Sequence, residues 1–520
     1  MQRAIDFLSS MYDSGMRFWV DCGKLHCRAV KGSLTSKQLE TLRALKEDII
    51  VLLSQKKSCD AGAPPIWSNS LFDTAPLSLQ QELFWKVLEK PNRENESSFW
   101  IFLGWRLCGP LKVDVLQRAV DLMVERHQSL RTRIVVRAGV PQQRIDEPAK
   151  CRLSILHMEN EFPDEANTVV PQSIVSCFNE RKSLVEAPLF ETKLLRASEV
   201  DHILLVVIQH MVSDGISLSI FRGQLWTLYA ELLRQNRCSS YKMSMQYADY
   251  AMWQRSRRLY WLERGDPYWK RRLSGAEPVR LPVDSGLEDM ERFAVAEMHI
   301  SFGKELSADL KSLARELRST TALVMLALYV SMLATWSNQR NFVVGLIVNG
   351  RTRSECAGII GYFAHGVPLR IDLKGSESFI DLLEIVSKEF VVTVDNLESY
   401  QHLEMSSTSD IYRTSWFNWL PGEDAEFSDV SIPSESGESA IGLTIHPLRV
   451  KRDLPERFKD EWSEIDLQFS DSPRGIGAYG RYRVDLFAPD TMLRFSNDFR
   501  FVAEDVVRNA HTRVASFRRS

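Results

Sequence analysis

The stretch HILLVVIQHMVSDG, residues 202–215, is the part of the sequence that best indicates the fold. Residues 203–208 are all apolar, which is typical of a β-strand buried on both faces. Ser213-Asp214-Gly215 then favours a turn, and residues 216–235 follow a helical period. The stretch therefore predicts a strand, a turn and a helix, with His210 at the point where the buried strand ends.

His210 is the candidate catalytic residue of this stretch. α/β folds commonly place their chemistry where a buried strand ends, and the near-neutral pKa of histidine suits proton transfer. A hydrogen-bonded structural histidine is the alternative that position alone leaves open. Features elsewhere in the chain must therefore distinguish a catalytic base from a structural residue.

Strands and helices alternate on both sides of this stretch. The patterns predict further strands at residues 99–107 and from about residue 298, and helices at residues 113–127, 322–334 and 491–517. Such alternation predicts a mixed α/β architecture. A stretch rich in proline and glycine near residue 280 divides it, so we expect two lobes, residues 76–280 and residues 281–520.

Residues 1–57 are predicted to form a separate small domain of helix, hairpin and helix. Residues 17–20 and 24–28 flank a turn signal at Asp21-Cys22-Gly23, which favours a β-hairpin. Thr35 is a predicted N-cap for the second helix, in which apolar residues recur every 3.6 positions. Residues 58–75 show no periodicity and are predicted to be a linker.

The charge balance of the chain is nearly even. Its 520 residues carry 65 Lys and Arg against 68 Asp and Glu, a net charge of −3, which gives no electrostatic reason to bind nucleic acid or an anionic membrane. Residues 1–57 differ, with ten basic and six acidic residues. This excess favours an acidic partner, although ordinary surface charge explains so small a block equally well.

No membrane span or metal site is expected. The apolar run at residues 322–334 is too short to cross a bilayer and favours a buried helix, and the N-terminus lacks the apolar core of a secretory signal. Of the eight cysteines, only Cys22 and Cys27 are close in sequence, without a second pair or histidines at zinc spacing. We therefore expect a cytoplasmic protein with free thiols.

Residues 209–215 resemble the His-His-x-x-x-Asp-Gly signature of nonribosomal peptide synthetase condensation domains, with Gln209 in place of the first histidine. Other segments resemble further motifs of that family, in the family's order. They are residues 76–85 (PLSLQQELFW), 126–132 (RHQSLRT), 247–253 (YADYAMW), 268–270 (YWK), 275–276 (GA), 350–351 (GR), 360–363 (IGYF) and 417–419 (FNW). The resemblance covers residues 70–520.

The N-terminal domain resembles a second family, the β-hairpin docking domains of hybrid polyketide and peptide assembly lines. The residues that carry this resemblance are Trp19, Gly23, Lys24, Leu25, Lys31, Gly32, Leu34 and Thr35. It implies that Trp19, Lys24, Arg28 and Lys31 bind the acidic C-terminal tail of an upstream carrier protein. The tail would add a strand to the edge of the hairpin.

The condensation-domain resemblance implies two lobes like those of chloramphenicol acetyltransferase, arranged as a V with a tunnel between them. His210 would orient or deprotonate the acceptor as it attacks a donor thioester. A backbone N–H near Gly215 would stabilise the oxyanion. Gly215 itself would permit a tight turn, and any side chain there would narrow the tunnel. Asp214 would pair with Arg126, Arg131 or Arg351 to hold the loop that presents His210.

Three further positions have implied roles. Gln209 would support the site without transferring a proton. Asn418 would hydrogen-bond the acceptor. His365, where the family usually has asparagine, would either line the tunnel and tune the choice of acceptor or pack as a structural histidine.

The implied reaction is transfer of an acyl chain to an amine or hydroxyl acceptor, giving an amide or an ester, chain release included. The acyl chain would arrive on the phosphopantetheine arm of a separate carrier protein, and no intrinsic cofactor or metal is implied because a thioester is already activated. Since no phosphopantetheine attachment site or adenylation phosphate loop is recognisable, we expect the chain to act in trans. The missing aspartate pair of cyclising relatives argues against heterocycle formation. A non-catalytic recruitment module and an acyltransferase using acyl-coenzyme A are the alternatives.

Overall fold

The structure is a computed structural model that separates into two units, Met1–Pro65 and Ile66–Ser520. The residues that it describes are 17–21, 24–28, 41–42, 45–46, 73–88, 100–148, 153–158, 162, 169–170, 185, 188–235, 243, 245–287, 294–404, 415–420, 430–432, 442–450, 464–472 and 474–514.

The first unit contains a β-hairpin. Strands β1 (Arg17–Asp21) and β2 (Lys24–Arg28) pair antiparallel, with Asp21 opposite Lys24. The predicted hairpin is therefore confirmed. The helix predicted before it, most of the helix predicted after it, the side chains of the predicted docking residues in the two strands, and all of Lys31 lie outside the described residues; of the second helix, residues 41–42 and 46 are described and are helical.

The second unit is built from strands and helices in alternation. Its strands are β3 (Thr74–Pro76), β4 (Trp100–Cys108), β5 (Thr132–Arg137), β6 (Val140–Ile145), β7 (Ser154–His157), β8 (Val169–Val170), β9 (Phe190–Arg196), β10 (Asp201–Gln209), β11 (Val295–Phe302), β12 (Asn341–Val348), β13 (His365–Asp372), β14 (Trp416–Leu420), β15 (Val430–Ile432), β16 (Leu443–Val450), β17 (Ile465–Ser472) and β18 (Gly475–Arg483). Its helices are α1 (Leu79–Leu88), α2 (Val113–Arg126), α3 (Gly215–Gln235), α4 (Tyr247–Ser256), α5 (Arg258–Leu273), α6 (Gly303–Glu316), α7 (Thr321–Ser337), α8 (Phe379–Asp395), α9 (Leu397–Glu404) and α10 (Pro489–Arg508). The predicted strands and helices of this unit are present, most of them with shifts of one to three residues at their ends.

The first large sheet has the strand order β15-β16-β4-β10-β9-β7, and β8 also pairs with β16. Strand β10 lies in its middle, antiparallel to both β4 and β9. Every side chain of β10 after Asp201 is buried, as the apolar run predicts. The catalytic candidate His210 therefore follows a central strand of this sheet.

The second large sheet has the order β11-β18-β17-β14-β12-β13. Strands β12, β14 and β17 are parallel to one another, and the other pairs are antiparallel. Helix α7 is apolar around most of its circumference and is buried in the core behind this sheet. In the part of the chain that the structure describes, no single helix is long and apolar enough to span a membrane, and the one pair that would qualify together, α6 with α7, bends by 105°.

Each large sheet has its own hydrophobic core, which agrees with two lobes. The predicted lobe ranges follow the chain, however, and sheet membership departs from them. Strand β16 comes from the second range but pairs with β4 in the first sheet, and its residues Leu443, Ile445 and Leu448 pack in the first core. This strand covers the edge of β4, whose backbone groups would otherwise be unpaired.

Candidate active site

His210 begins a short 3₁₀ turn, His210–Val212, directly after β10. The side chain of Gln209 is fully buried, and its Oε1 accepts a hydrogen bond from the backbone N–H of Met211. From helix α1, Gln81 Nε2 donates to the Met211 carbonyl at 2.9 Å. Both peptide groups of Met211 are thus held, and they fix the turn that presents His210.

His210 is partly exposed, and its imidazole contacts two aromatic rings. The Tyr362 ring centroid is 5.0 Å away, with an angle of 79° between the ring planes. Phe84, from helix α1, lies at 6.1 Å with an angle of 34°. Because Phe84 and Tyr362 also contact each other at 5.7 Å, the three rings form one aromatic cluster.

Asp214 and Arg351 form a buried, two-pronged ion pair. Arg351 Nη1 donates to Oδ2 at 2.8 Å and Nη2 donates to Oδ1 at 3.0 Å. Only 5% of the Arg351 side chain and 2% of the Asp214 side chain are exposed. The backbone N–H groups of Ser217, Phe363 and Ala364 also donate to the carboxylate, at 2.8, 2.9 and 3.1 Å. The carboxylate is therefore fully occupied with structural contacts.

The other two arginines proposed as partners of Asp214 lie elsewhere. Arg126 Nη1 donates to Gln224 Oε1 at 3.1 Å, and Arg131 Nη1 donates to the Asp146 carbonyl. His127 also contacts Gln224 Oε1, at 2.9 Å, and burial lowers the pKa of this histidine to about 4. This motif therefore holds helix α2 against helix α3 and does not reach Asp214.

Arg351 belongs to a segment that we call the bridging loop, residues 349–364 between β12 and β13. Gly350 has a φ of +63°, and a Cβ there would lie 1.9 Å from the Phe363 carbonyl oxygen, so only glycine fits. Likewise, a Cβ on Gly361 would lie 2.0 Å from the Tyr247 ring. The two glycines of these motifs are explained by close packing of the loop.

The bridging loop is hydrogen-bonded to the first lobe along its second half. Ser129 Oγ donates to the Ile360 carbonyl at 2.6 Å. Tyr247 donates its hydroxyl proton to the Tyr362 carbonyl at 2.5 Å, and burial raises the pKa of Tyr247 well above its ordinary value, which keeps that proton in place. The Ser217 hydroxyl accepts from the Gly361 N–H at 3.0 Å. The loop thus joins the two lobes beside His210.

Gly215 does not form the tight turn expected of it. Its φ is not positive, and it is the first residue of helix α3. A Cβ at this position would instead lie 3.3 Å from Leu420 Cδ2, on strand β14 of the second sheet. The constraint on Gly215 is therefore the space between helix α3 and this strand rather than backbone conformation.

The two predicted substrate-binding residues lie on opposite faces of the second sheet. Asn418 and Gly366 are both in register with Ile347, which places them on one face. His365, one residue before Gly366, points to the other face, where it is 4% exposed and packs 6.1 Å from the Tyr400 ring. Burial lowers its pKa to about 3, so it stays neutral. The packed structural interpretation of His365 is favoured.

Asn418 shares its face with an aromatic wall that the sequence does not reveal. Its amide donates to Gln468 Oε1 at 3.4 Å. Two residues earlier on the same strand, the Trp416 indole lies across Gly345 and Gly366, where added Cβ atoms would fall 2.4 and 2.8 Å from its ring. The indole therefore lies flat over two neighbouring strands, on the face that carries Asn418.

Several residues near His210 have no role predicted from the sequence. Phe84, Gln81 and Tyr362 lie within recognised motifs, but only their packing in three dimensions shows that they surround the histidine. Ser217 had a usable signal: it stands three residues after Asp214, and an aspartate that caps a helix accepts a hydrogen bond from the residue at that spacing.

Comparison with families of known proteins gives two matches. Residues 72–518 match the model of the condensation domain, and residues 5–55 match the TubC N-terminal docking domain. One linear gramicidin synthase polypeptide of Brevibacillus parabrevis is 28% identical over 485 residues, which are 90% of this chain and 9% of that protein. Bacitracin synthase 2 of Bacillus licheniformis is 24% identical over 525 residues, 99% of this chain and 19% of that protein. The chain thus spans less than a fifth of either relative.

Solved structures resemble the chain over most of its length. The X-domain from teicoplanin biosynthesis has a TM-score of 0.68 at 20% identity, covering 87% of this chain and 99% of its own. The condensation domain of the Monacolin K polyketide synthase MokA gives 0.68 at 16% identity, covering 85% and 99%. The EpoB cyclization-docking bidomain from Sorangium cellulosum gives 0.59 at 18%, covering 96% and 98%. The predicted fold class is confirmed.

Proposed function

The chain belongs to the condensation-domain family, and on this premise we propose that it transfers an acyl chain from a carrier-protein thioester to an amine or hydroxyl acceptor. Condensation domains catalyse amide bond formation, and ester formation is the finer possibility that we include in the proposal. The observation that carries it is the placement of His210, which is partly exposed, follows a buried strand and lies beside the Asp214–Arg351 pair.

We propose that His210 takes the proton of the acceptor as the acceptor nitrogen or oxygen attacks the thioester carbonyl. The tetrahedral intermediate then collapses, the carbon–sulfur bond breaks, and the proton passes from His210 to the departing thiolate. The products are the amide or ester and the free thiol of the carrier. An N–H group at the start of helix α3, near Gly215, is the proposed donor to the oxyanion, because the first N–H groups of a helix have no partner within it.

Asp214 has a structural role in this proposal. Its oxygens accept from Arg351, Ser217, Phe363 and Ala364, so none is left to orient an imidazole or accept a proton from substrate. The pair instead joins the helix that follows His210 to the bridging loop.

Gln209 is proposed to support the site without taking part in proton transfer. Its oxygen accepts from the Met211 N–H, and an unprotonated imidazole nitrogen can accept such a bond as well. The replacement of the first motif histidine therefore leaves the turn held and His210 in place.

The carrier is proposed to engage the N-terminal docking domain through an acidic C-terminal tail. The hairpin formed by β1 and β2 offers an edge for strand addition, and the excess of basic residues in 1–57 favours an acidic segment. The phosphopantetheine arm belongs to the carrier and reaches the site as part of the substrate.

The proposal is tested by mixing the full chain with an acylated carrier and a panel of amines and alcohols, and following product by mass spectrometry. We expect carrier-dependent product from at least one acceptor. Carrier binding without product would favour a recruitment module. Equal efficiency with acyl-coenzyme A in place of the acyl carrier would favour a carrier-independent acyltransferase.

A further inference from the structure

We infer that Tyr362 is a positioning residue for His210: the bridging loop places its ring against the imidazole and so fixes the plane in which the base meets the acceptor. The inference rests on the proposed function, because it concerns the orientation of the proposed base. It assigns a role to a residue that has none in the reaction described above.

The ring geometry is the first observation. The centroids of His210 and Tyr362 are 5.0 Å apart at 79°, within the range in which edge-to-face aromatic contacts are favourable. Phe84 contacts the imidazole at 6.1 Å and the Tyr362 ring at 5.7 Å, so the two rings lie next to each other on adjacent sides of the imidazole. Together they restrict the orientations open to the imidazole.

The backbone that carries Tyr362 is the second observation. The Gly361 N–H donates to Ser217 Oγ at 3.0 Å, and the Phe363 N–H donates to Asp214 Oδ2 at 2.9 Å. The Tyr362 carbonyl itself accepts from Tyr247 at 2.5 Å. Three successive residues are thus hydrogen-bonded to the first lobe, which fixes the backbone position from which the Tyr362 side chain extends.

Asp214 acquires a further role from this arrangement. It caps helix α3, the helix that follows His210, through the Ser217 N–H, and it also accepts from the Phe363 N–H of the loop that carries Tyr362. Arg351 adds a second restraint, because its guanidinium lies 4.3 Å from the centroid of the Phe363 ring. The ion pair therefore orients His210 indirectly, because it fixes the bridging loop that places the Tyr362 ring against the imidazole.

Kinetics with conservative and non-conservative variants test this role. Tyr362→Phe keeps the ring and should stay within about twofold of wild type, because the contact needs no hydroxyl. Tyr362→Leu should lower kcat about tenfold while the KM for the acyl carrier stays unchanged, since only the reacting geometry is disturbed. A residue that merely fills space would lose stability in Tyr362→Leu without a loss confined to kcat.

A spectroscopic measurement tests the geometry itself. The chain has ten histidines, so labelling their Cε1 positions with ¹³C gives a tractable spectrum in which His210→Ala assigns the His210 signal. Ring currents make that signal sensitive to Tyr362. Tyr362→Leu should move it, and Tyr362→Phe should leave it in place.

Tyr479 provides a matched control. Its ring lies 5.3 Å from that of His299 on the exposed strands of the second sheet. Tyr479→Leu should move the His299 signal, leave the His210 signal unchanged and retain turnover. Ser217→Ala is a second variant that touches neither ring: it removes the hydroxyl that contacts Gly361 of the loop together with Asp214 and Arg351, and it should also move the His210 signal.

The outcomes separate this inference from the proposed function. If His210→Ala retains full turnover, the proposed function fails whatever Tyr362 does. If His210→Ala is inactive while Tyr362→Leu keeps wild-type kcat and an unmoved His210 signal, the positioning role is overturned. An unmoved signal in Ser217→Ala overturns delivery through the loop, even where Tyr362→Leu fails to fold.

Discussion

Removing one partner of the buried Asp214–Arg351 pair should strongly destabilise the protein, because the other charge stays buried without a counter-charge. The two side chains are 2% and 5% exposed, so Asp214→Ala leaves a guanidinium buried without a counter-charge, and Arg351→Met leaves a buried carboxylate. Breaking a buried pair from one side typically costs about 3–5 kcal/mol. Each single variant should therefore lose free energy of unfolding in that range.

The double variant Asp214→Ala/Arg351→Met should cost less than the sum of the two single variants. It removes both charges, so no uncompensated ion remains, and the coupling between contacting residues should amount to about 2–3 kcal/mol. The remaining cost is the loss of the hydrogen bonds from the Phe363 and Ala364 N–H groups to the carboxylate.

Urea unfolding followed by circular dichroism measures these free energies, with a surface pair as the control. Arg500 and Glu504 pair at 3.1 Å with 54% and 34% of their side chains exposed, so removing either should change stability by only about 0–1 kcal/mol. Additive effects of the Asp214 and Arg351 variants, or single variants as mild as the surface control, would contradict a strongly coupled buried pair.

Three further predictions concern the histidine, glycine and docking positions. Burial lowers the folded-state pKa of His365 from 6.5 to about 3, so its contribution to stability is complete above pH 6.5 and is lost as the pH falls towards 3. His365→Asn should therefore lose about 2 kcal/mol less free energy of unfolding than wild type between pH 7 and pH 5 in urea titrations. Equal losses in the two proteins would contradict this. Gly215→Leu should reduce turnover more than about tenfold, because a Cβ there already lies 3.3 Å from Leu420. Gly223→Leu is the control and should retain activity, because a Cβ there has nothing within 4 Å. Equal turnover in the two variants would argue against the spatial constraint on Gly215. Lys24→Glu with Arg28→Glu should raise the KM for the acyl carrier and spare a small N-acetylcysteamine thioester; unchanged carrier kinetics would exclude this docking surface.

Local patterns predicted most of the elements but not how distant ones pair. The continuous apolar runs of β10 and helix α7, and the helical period of the helix that follows β10, are each visible within one segment. Strands β15 and β16 are different, because they join the first sheet from more than two hundred residues after β10. β16 pairs with the edge of β4, and no pattern within residues 430–450 predicts which strand they pair with.

The site shows the same division. The resemblance implied that Asp214 pairs with an arginine and left three candidates, because the folded position of the bridging loop decides which arginine lies beside Asp214. Gly215 was expected both to permit a tight turn and to leave room that a side chain would narrow, and the neighbour that limits this room is Leu420 of the other sheet. His365 was left between two roles, and the period of strand β13 together with its pairing register favours the packed one.

The central claim is that His210 is the base, and single-turnover transfer from an acylated carrier tests it most directly. Wild type, His210→Ala and His299→Ala would be compared by the intact mass of the carrier over time; His299 is a matched control because its side chain is 70% exposed on the second sheet. We expect His210→Ala to slow transfer at least about a hundredfold while His299→Ala matches wild type. A wild-type rate in His210→Ala would contradict it.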